Sequence, residues 1–294
     1  EIVMAHEQSI AYRIALVGNP NCGKTTLFNA LTGARHRVGN WPGVTVEKKS
    51  GEFKQDNLRI EVVDLPGTYS LDVVDRDISL DEMVARDYVH TGEADLIVNI
   101  VDASNLERNL YLTTQLAEMG VPLLVVLNMT DVAAAKGMMV DVTELAAQLG
   151  CPVLPVIASQ GQGIDELKTA ILAAVMDQPR ASARLSYADA VETAIIALID
   201  QMPTSTKVAP RWLAVRLLEG DGLAQQTVGP EKSALAGRLA IDLEDDLDIY
   251  VADAHYGLAN RIANAAVTIT GRVERDTTDR IDRVVLNRAL GIPI

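Results

Sequence analysis

An α/β domain built on a mostly parallel sheet, followed by an all-helical domain, is the fold class this sequence predicts. Three observations carry it. From residue 12 to about 176, short apolar runs alternate with amphipathic stretches, as in a parallel sheet covered on both faces. Residues Gly18-Asn-Pro-Asn-Cys-Gly-Lys-Thr25 match the phosphate-binding pattern G-x-x-x-x-G-K-[ST], between a strand-like run and a helix-like one. After Gln178-Pro179 the apolar spacing turns helical, and no strand-period segment follows.

In chain order, Ile14–Val17 reads as the first strand and Thr26–Leu31 as the helix that the phosphate loop opens. The polar, weakly alternating stretch Val44–Phe53 reads as an edge strand antiparallel to its neighbour. Ile60–Val63, Leu96–Val101, Leu123–Leu127 and Val153–Ile157 are the remaining strands, and Leu106–Met119, Val142–Leu149 and Ile164–Val175 the helices among them. Beyond the prolines, 187–202 is amphipathic at helical spacing, Pro203 and Pro210 bracket a loop, and Trp212–Leu218 begins another helix. Helical patterns continue through 231–247 and 249–268. The expected limits are 11–178 for the nucleotide domain, 179–270 for the helical domain and 271–294 for a C-terminal segment.

Composition narrows the function classes. Of 294 residues, 48% are hydrophobic and 22% charged, the balance of a globular chain. A net charge of −14 argues against nucleic acid as a main partner, because phosphate neutralisation needs clustered Lys and Arg. Two cysteines, Cys22 and Cys151, fit a reducing compartment and no disulfide framework. Residues 1–10 do not have the basic start and apolar stretch of a secretory signal, and no apolar run approaches the ~18 residues of a membrane helix. His6, His36, His90 and His255 are scattered without metal-ligand spacing, so no protein iron site is expected. Asp242–Asp248 reads as a solvated acidic helix face. The apolar end Leu290–Ile294 fits either an ordinary chain end or a chain cut before something hydrophobic.

The chemistry gathers around the loop. Successive backbone N–H groups at a helix N-terminus form a concave anion site, and glycine admits the phosphates closely. Lys24 is placed to reach the β and γ phosphates, and the Thr25 hydroxyl to ligate Mg²⁺. Asp64-Leu-Pro-Gly67 ends the second apolar run, so Asp64 can hold Mg²⁺ through water while the Gly67 N–H senses the γ-phosphate. Between them lies Gly39-Asn-Trp-Pro-Gly-Val-Thr45, expected to be mobile, with Thr45 placed to complete the Mg²⁺ shell. Asn128-Met-Thr-Asp131 directly follows a strand. Asp131 can accept from guanine N1–H and the exocyclic amine, a donor pair adenine lacks on that edge.

Together these segments resemble the five motifs of the small GTPases. More closely, residues 12–294 resemble the cytoplasmic N-terminal part of the bacterial ferrous iron transport protein B family. The carrying stretches are Gly18–Gly33, Val38–Glu47, Asp64–Leu71, Val101–Leu112 and Ile281–Ile294. The resemblance implies a P-loop small-GTPase-like domain and a helical domain acting as a guanine-nucleotide dissociation inhibitor. It also implies a membrane permease region after the C-terminus, which favours the cut-chain reading, and a place on the cytoplasmic face of the inner membrane. GTP hydrolysis in that family is linked to Fe²⁺ uptake, and a small regulatory transport partner and homo-oligomers are expected.

The implied nucleotide contacts are Asn19, Asn21, Cys22, Gly23, Lys24, Thr25, Thr26, Gly43, Val44, Thr45, Asp64, Gly67, Asn128, Met129, Asp131, Ala158 and Ser159. Thr68 stands where Ras-type enzymes carry the water-orienting glutamine. The family solution is a potassium ion, with Asn21 as a side-chain ligand and the Gly39 and Trp41 carbonyls closing over it. Catalysis then rests on Asn21, Lys24, Thr45 and Gly67. Met129 replaces the lysine common in small GTPases, and Ile157 a serine in the fifth motif, where the Ala158 N–H is expected to meet guanine O6. A looser base loop keeps ATP use open. The alternatives are an RNA- or ribosome-associated assembly GTPase and a slow nucleotide-occupancy switch.

Overall fold

The computed structural model describes residues 10–33, 36–71, 79–203, 206–241, 243 and 247–269. The stretch Ile281–Ile294, the segment 271–294, His6 and most of the acidic cluster Asp242–Asp248 lie outside the described residues.

Strand β1 (Ile10–Gly18) runs into the phosphate loop and helix α1 (Lys24–Thr32). Then come β2 (His36–Asn40), β3 (Glu47–Gln55), β4 (Leu58–Asp64), α2 (Leu80–Thr91), β5 (Leu96–Asp102), α3 (Leu106–Met119) and β6 (Leu123–Asn128). Next are α4 (Thr130–Ala135), β7 (Met138–Val140), α5 (Val142–Leu149), β8 (Val153–Pro155) and α6 (Ile164–Asp177). Helices α7 (Asp189–Ile199), α8 (Pro210–Leu218), α9 (Gly222–Val228), α10 (Pro230–Ile241) and α11 (Leu247–Ala266) follow, then β9 (Val267–Ile269).

Seven strands form one sheet in the order β2-β3-β4-β1-β5-β6-β8. β1 pairs in parallel with β4 and β5, and β6 with β5 and β8. The strand period explains the layers. Ile14 and Leu16 point to one face, where Leu27, Phe28, Ile171 and Val175 of α1 and α6 cover them. Ala15 and Val17 point to the other, into an apolar cluster with Ala85 of α2, Leu110 of α3 and Leu145 of α5. That cluster continues through Ile195, Trp212, Leu213 and Ile262, so the helical region shares the core of the sheet's second face.

The antiparallel expectation for Val44–Phe53 holds in β3, but its edge position does not. β2, whose last two residues begin the stretch expected to be mobile, adds outside it with Asn40 opposite Glu47 and His36 opposite Gly51. The hairpin satisfies the outer backbone groups of β3. The helical region also contains a strand. β9 pairs antiparallel with β7, Val140 opposite Val267 and Met138 opposite Ile269. Where the chain leaves the sheet, an antiparallel bridge joins Pro122 to Arg180 and the Leu123 N–H donates to the Pro179 carbonyl at 2.7 Å. A buried ion pair, Arg86 of α2 with Asp221 at 2.9 Å, ties the helices to the sheet side, and Asp221 also caps α9. Among the described residues no helix is long and apolar enough to cross a membrane.

Candidate nucleotide site

The loop takes its shape from backbone positions that ordinary side chains avoid. Gly23 lies at φ 90° and opens α1, and Asn21 at φ 67° turns the chain before it. A Cβ on Gly23 would come within 2.2 Å of the Asn128 amide nitrogen, and one on Gly18 within 2.8 Å of the Ile100 carbonyl. These close approaches bring the phosphate loop against the ends of β5 and β6, where α/β sheets bind ligands.

Asn128 is the joint. Its amide donates to the Cys22 carbonyl at 2.9 Å and its oxygen accepts from the Ala158 N–H at 3.1 Å, binding the first, fourth and fifth motifs together. The Ala158 N–H, expected to meet guanine O6, is therefore engaged within the protein. Asp131 accepts from Gln160 Nε2 at 3.2 Å, with Met129 in the left-handed region between it and the strand. Ser159 is exposed beside them.

A cleft of about 610 Å³ opens over the loop, lined by Asn19, Pro20, Asn21, Gly23, Lys24, Thr25, Thr26, Gly67, Asp81 and Met129. Such a volume suits a small-molecule ligand. Lys24 is in ion-pair contact with Asp64 from the end of β4, both side chains largely buried. Asn19 Oδ1 is buried without a partner among the described residues. An orphan polar atom, exposed Thr25 and Thr26 hydroxyls and a lysine fit a polyanionic, metal-carrying ligand. Cys22 is buried, and burial pushes its thiol up to about 11, so it packs rather than ionises.

The segment 39–45 stands apart from this cleft. Gly39 is in β2, opposite Lys48. Trp41 is buried edge-on against Tyr88 of α2 with ring centroids 5.2 Å apart, and its carbonyl accepts from the Val44 N–H at 3.3 Å. Gly43 and Thr45 are exposed, and Val44 is half-buried. The structure thus gathers residues 19–26, Asp64, Gly67 and Met129, sets Asn128, Asp131 and Ala158 alongside, and leaves Gly39, Trp41 and Gly43–Thr45 outside. Thr68 is buried and donates its hydroxyl to the Ser70 carbonyl rather than facing the cleft.

Sequence reasoning missed Asp81, Gln160 and Gln115. Asp81 was within reach, because Ser79 and Glu82 form the capping box that starts α2. The two glutamines carry no local signal, since their partners are far away in sequence or irregularly spaced.

Comparison with known proteins agrees with this geometry. A family described as ferrous iron transport protein B matches residues 12–171, and one described as FeoB cytosolic helical domain matches residues 187–268. The Fe(2+) transporter FeoB of Escherichia coli (strain K12) is 44% identical over 289 residues, and that of Shigella flexneri 45% over the same length. Each alignment covers 96% of this chain and 36% of the relative, so the chain spans little more than a third of these transporters. Among solved structures, the cytosolic domain of L. pneumophila FeoB superimposes with a TM-score of 0.77 at 40% identity, covering 87% of this chain and 99% of the other. The cytosolic domain of the T. maritima FeoB iron transporter in a GMPPNP form gives 0.76 at 34%, with 87% and 99% covered. Its GDP form I gives 0.77 at 33%, with 89% and 99% covered.

Proposed function

This chain belongs to the ferrous iron transport protein B family, and we propose that it is the GTP-binding, GTP-hydrolysing regulatory portion of a ferrous iron transporter. The observation that carries the reading is the cleft over residues 19–26, joined through Asn128 to the base-reading motif. Neighbours solved with GDP and with GMPPNP support a guanine nucleotide as the occupant.

In this reading the loop N–H groups and Lys24 hold the β and γ phosphates, which requires Lys24 to leave Asp64. Asp131 selects guanine. Thr25, Asp64 and Thr45 would hold magnesium, which when bound offsets phosphate charge. Asn21 with the Gly39 and Trp41 carbonyls would hold potassium, the family's replacement for a charge-stabilising arginine. Trp41 and Thr45 reach these positions only after Trp41 leaves its packing on Tyr88, an ordering step of the kind that γ-phosphate drives in GTPases. Gly67 senses that phosphate. The helical region, proposed to span 179–270, restrains nucleotide release and couples the site to a permease region in the inner membrane, with this part on the cytoplasmic face. The nucleotide domain is proposed to span 11–178.

The test is GTP hydrolysis in potassium against sodium at matched ionic strength, with ATP in parallel and with Asn21→Ala. Potassium stimulation of GTP hydrolysis that is lost in Asn21→Ala is expected. Equal rates in both salts would remove the cation site. The distance of 39–45 from the cleft favours one second reading, a slow switch that works by occupancy. Single-turnover rates below those of exchange in both salts would select it.

A further inference from the structure

We propose that Gln115 of α3 is a positioning residue for GTP hydrolysis, holding the loop that presents Gly67 to the γ-phosphate. The inference rests on the reading of the cleft as a GTPase site. Gln115 is buried, and both ends of its amide are spent on that loop. Its oxygen accepts from the Leu71 N–H at 2.8 Å and its nitrogen donates to Ser70 Oγ at 2.9 Å.

From there the hold passes to Gly67 in short steps. Thr68 and Ser70 interlock: the Thr68 hydroxyl donates to the Ser70 carbonyl, and the Ser70 N–H donates back to Thr68 Oγ1 at 3.2 Å. The Thr68 N–H in turn donates to the Gly18 carbonyl at 3.2 Å, at the start of the phosphate loop. Gly67 is the next residue back and lines the cleft. Its N–H is useful only if its place is set before the phosphate arrives, because a donor that must be ordered during the reaction loses part of its effect.

The support behind Gln115 is itself held. On the same helix, Thr114 Oγ1 lies 2.9 Å from His255 Nδ1 of α11, and Glu118 accepts from the Tyr187 hydroxyl at 2.5 Å while lying 3.2 Å from His255 Nε2. α3 is therefore braced by the helical region where it grips the loop. An apolar side chain would fill this place as well as its neighbours Leu112 and Leu116 do, but could not grip two residues of a loop.

The test compares Gln115→Met, Gln115→Glu and Ser70→Ala with the wild type, reading single-turnover GTP hydrolysis and equilibrium binding of GDP and GMPPNP. Methionine keeps the volume and drops both hydrogen bonds. It is expected to slow hydrolysis about tenfold and weaken GMPPNP severalfold, with GDP affinity changed less than twofold, since only the γ-phosphate meets Gly67. Ser70→Ala, on the loop itself, loses the bond to Gln115 and should show the same pattern at a smaller effect. Glutamate can accept from both the Leu71 N–H and the Ser70 hydroxyl, and should restore most of the rate. A wild-type rate in Gln115→Met, or equal weakening of GDP and GMPPNP, overturns the inference while leaving the GTPase reading intact. A wild type that neither binds nor hydrolyses GTP overturns both.

Discussion

Lys24 of the phosphate loop, which lines the cleft, and Asp64 at the end of β4 neutralise one another, with 11% and 7% of their side chains exposed. Each occupies the position the other's ligand would take. In the proposed reading, the lysine would exchange this carboxylate for phosphate, and the aspartate this ammonium for a metal. If the proposed reading holds, nucleotide binding breaks this pair.

Asp64→Asn separates the two roles. Freed of its partner, Lys24 should bind GDP roughly three- to tenfold more tightly in the presence of a chelator, the equivalent of about 1 kcal/mol. Hydrolysis with magnesium should fall by about a hundredfold. Equilibrium binding in EDTA and single-turnover rates check the two parts, and weaker GDP binding without magnesium would contradict the first.

Gly23→Ala should fail by two routes together. The backbone at φ 90° disfavours a side chain, and the added methyl meets the Asn128 amide. A loss of about 2–3 kcal/mol in unfolding free energy is expected, with nucleotide binding abolished. Denaturant unfolding of the unliganded chain measures it. A variant as stable as wild type would show that the loop can relax away from Asn128.

Asn128→Ala and Asp131→Ala should separate structure from recognition. The first strands the Ala158 N–H and the Cys22 carbonyl, and should cost about 1–3 kcal/mol with no nucleotide present. The second removes only an exposed bond to Gln160 and should stay within about 0.5 kcal/mol, while weakening guanine binding at least about tenfold. Thermal melts without ligand, set beside GDP titrations, distinguish them. Equal melting losses would assign Asp131 a structural role instead.

Glu118 predicts an acid limb to stability. Burial alone would push its carboxyl up, but His255, Arg216 and the Tyr187 hydroxyl outweigh burial and hold it below the usual carboxylate value. A group depressed in the folded state contributes fully above its unfolded value, near about 4.3, and loses that contribution as pH falls through the folded value. Melting midpoints measured from pH 7 downwards should therefore drop more steeply below about pH 4 in wild type than in Glu118→Gln. Parallel curves would show that other carboxylates govern the acid limb.

The parts legible in the sequence were those whose signal is local. Leu123–Leu127 and Leu96–Val101 read as strands because burial on both faces makes the whole run apolar. The phosphate loop was legible because its glycines, lysine and threonine act within eight consecutive residues. β2 was not, since its five exposed residues form a strand only by virtue of β3 beside them. β7 and β9, three residues each, exist only as a pair, drawn together across more than a hundred positions. At the site, the same division holds. Gly23, Lys24 and Asn128 announce themselves, whereas Gln115 and Gln160 gain meaning only from partners that the fold delivers. Trp41 is held apart from the cleft by packing on Tyr88 and Gly39 by pairing with Lys48, which no motif encodes.

The β7–β9 ladder and the Pro122–Arg180 bridge have a mechanical consequence when taken together. The helical region is joined to the nucleotide domain at two places, by the bridge beside β6 and by the separate two-stranded ladder of β7 and β9, not hung from one linker. A single hinge would allow it to swing like a door. Two seams at separate places permit only small sliding of packed helices, shear rather than rotation. Under the proposed coupling of the two parts, a signal between them would then pass as small shifts of groups already in contact.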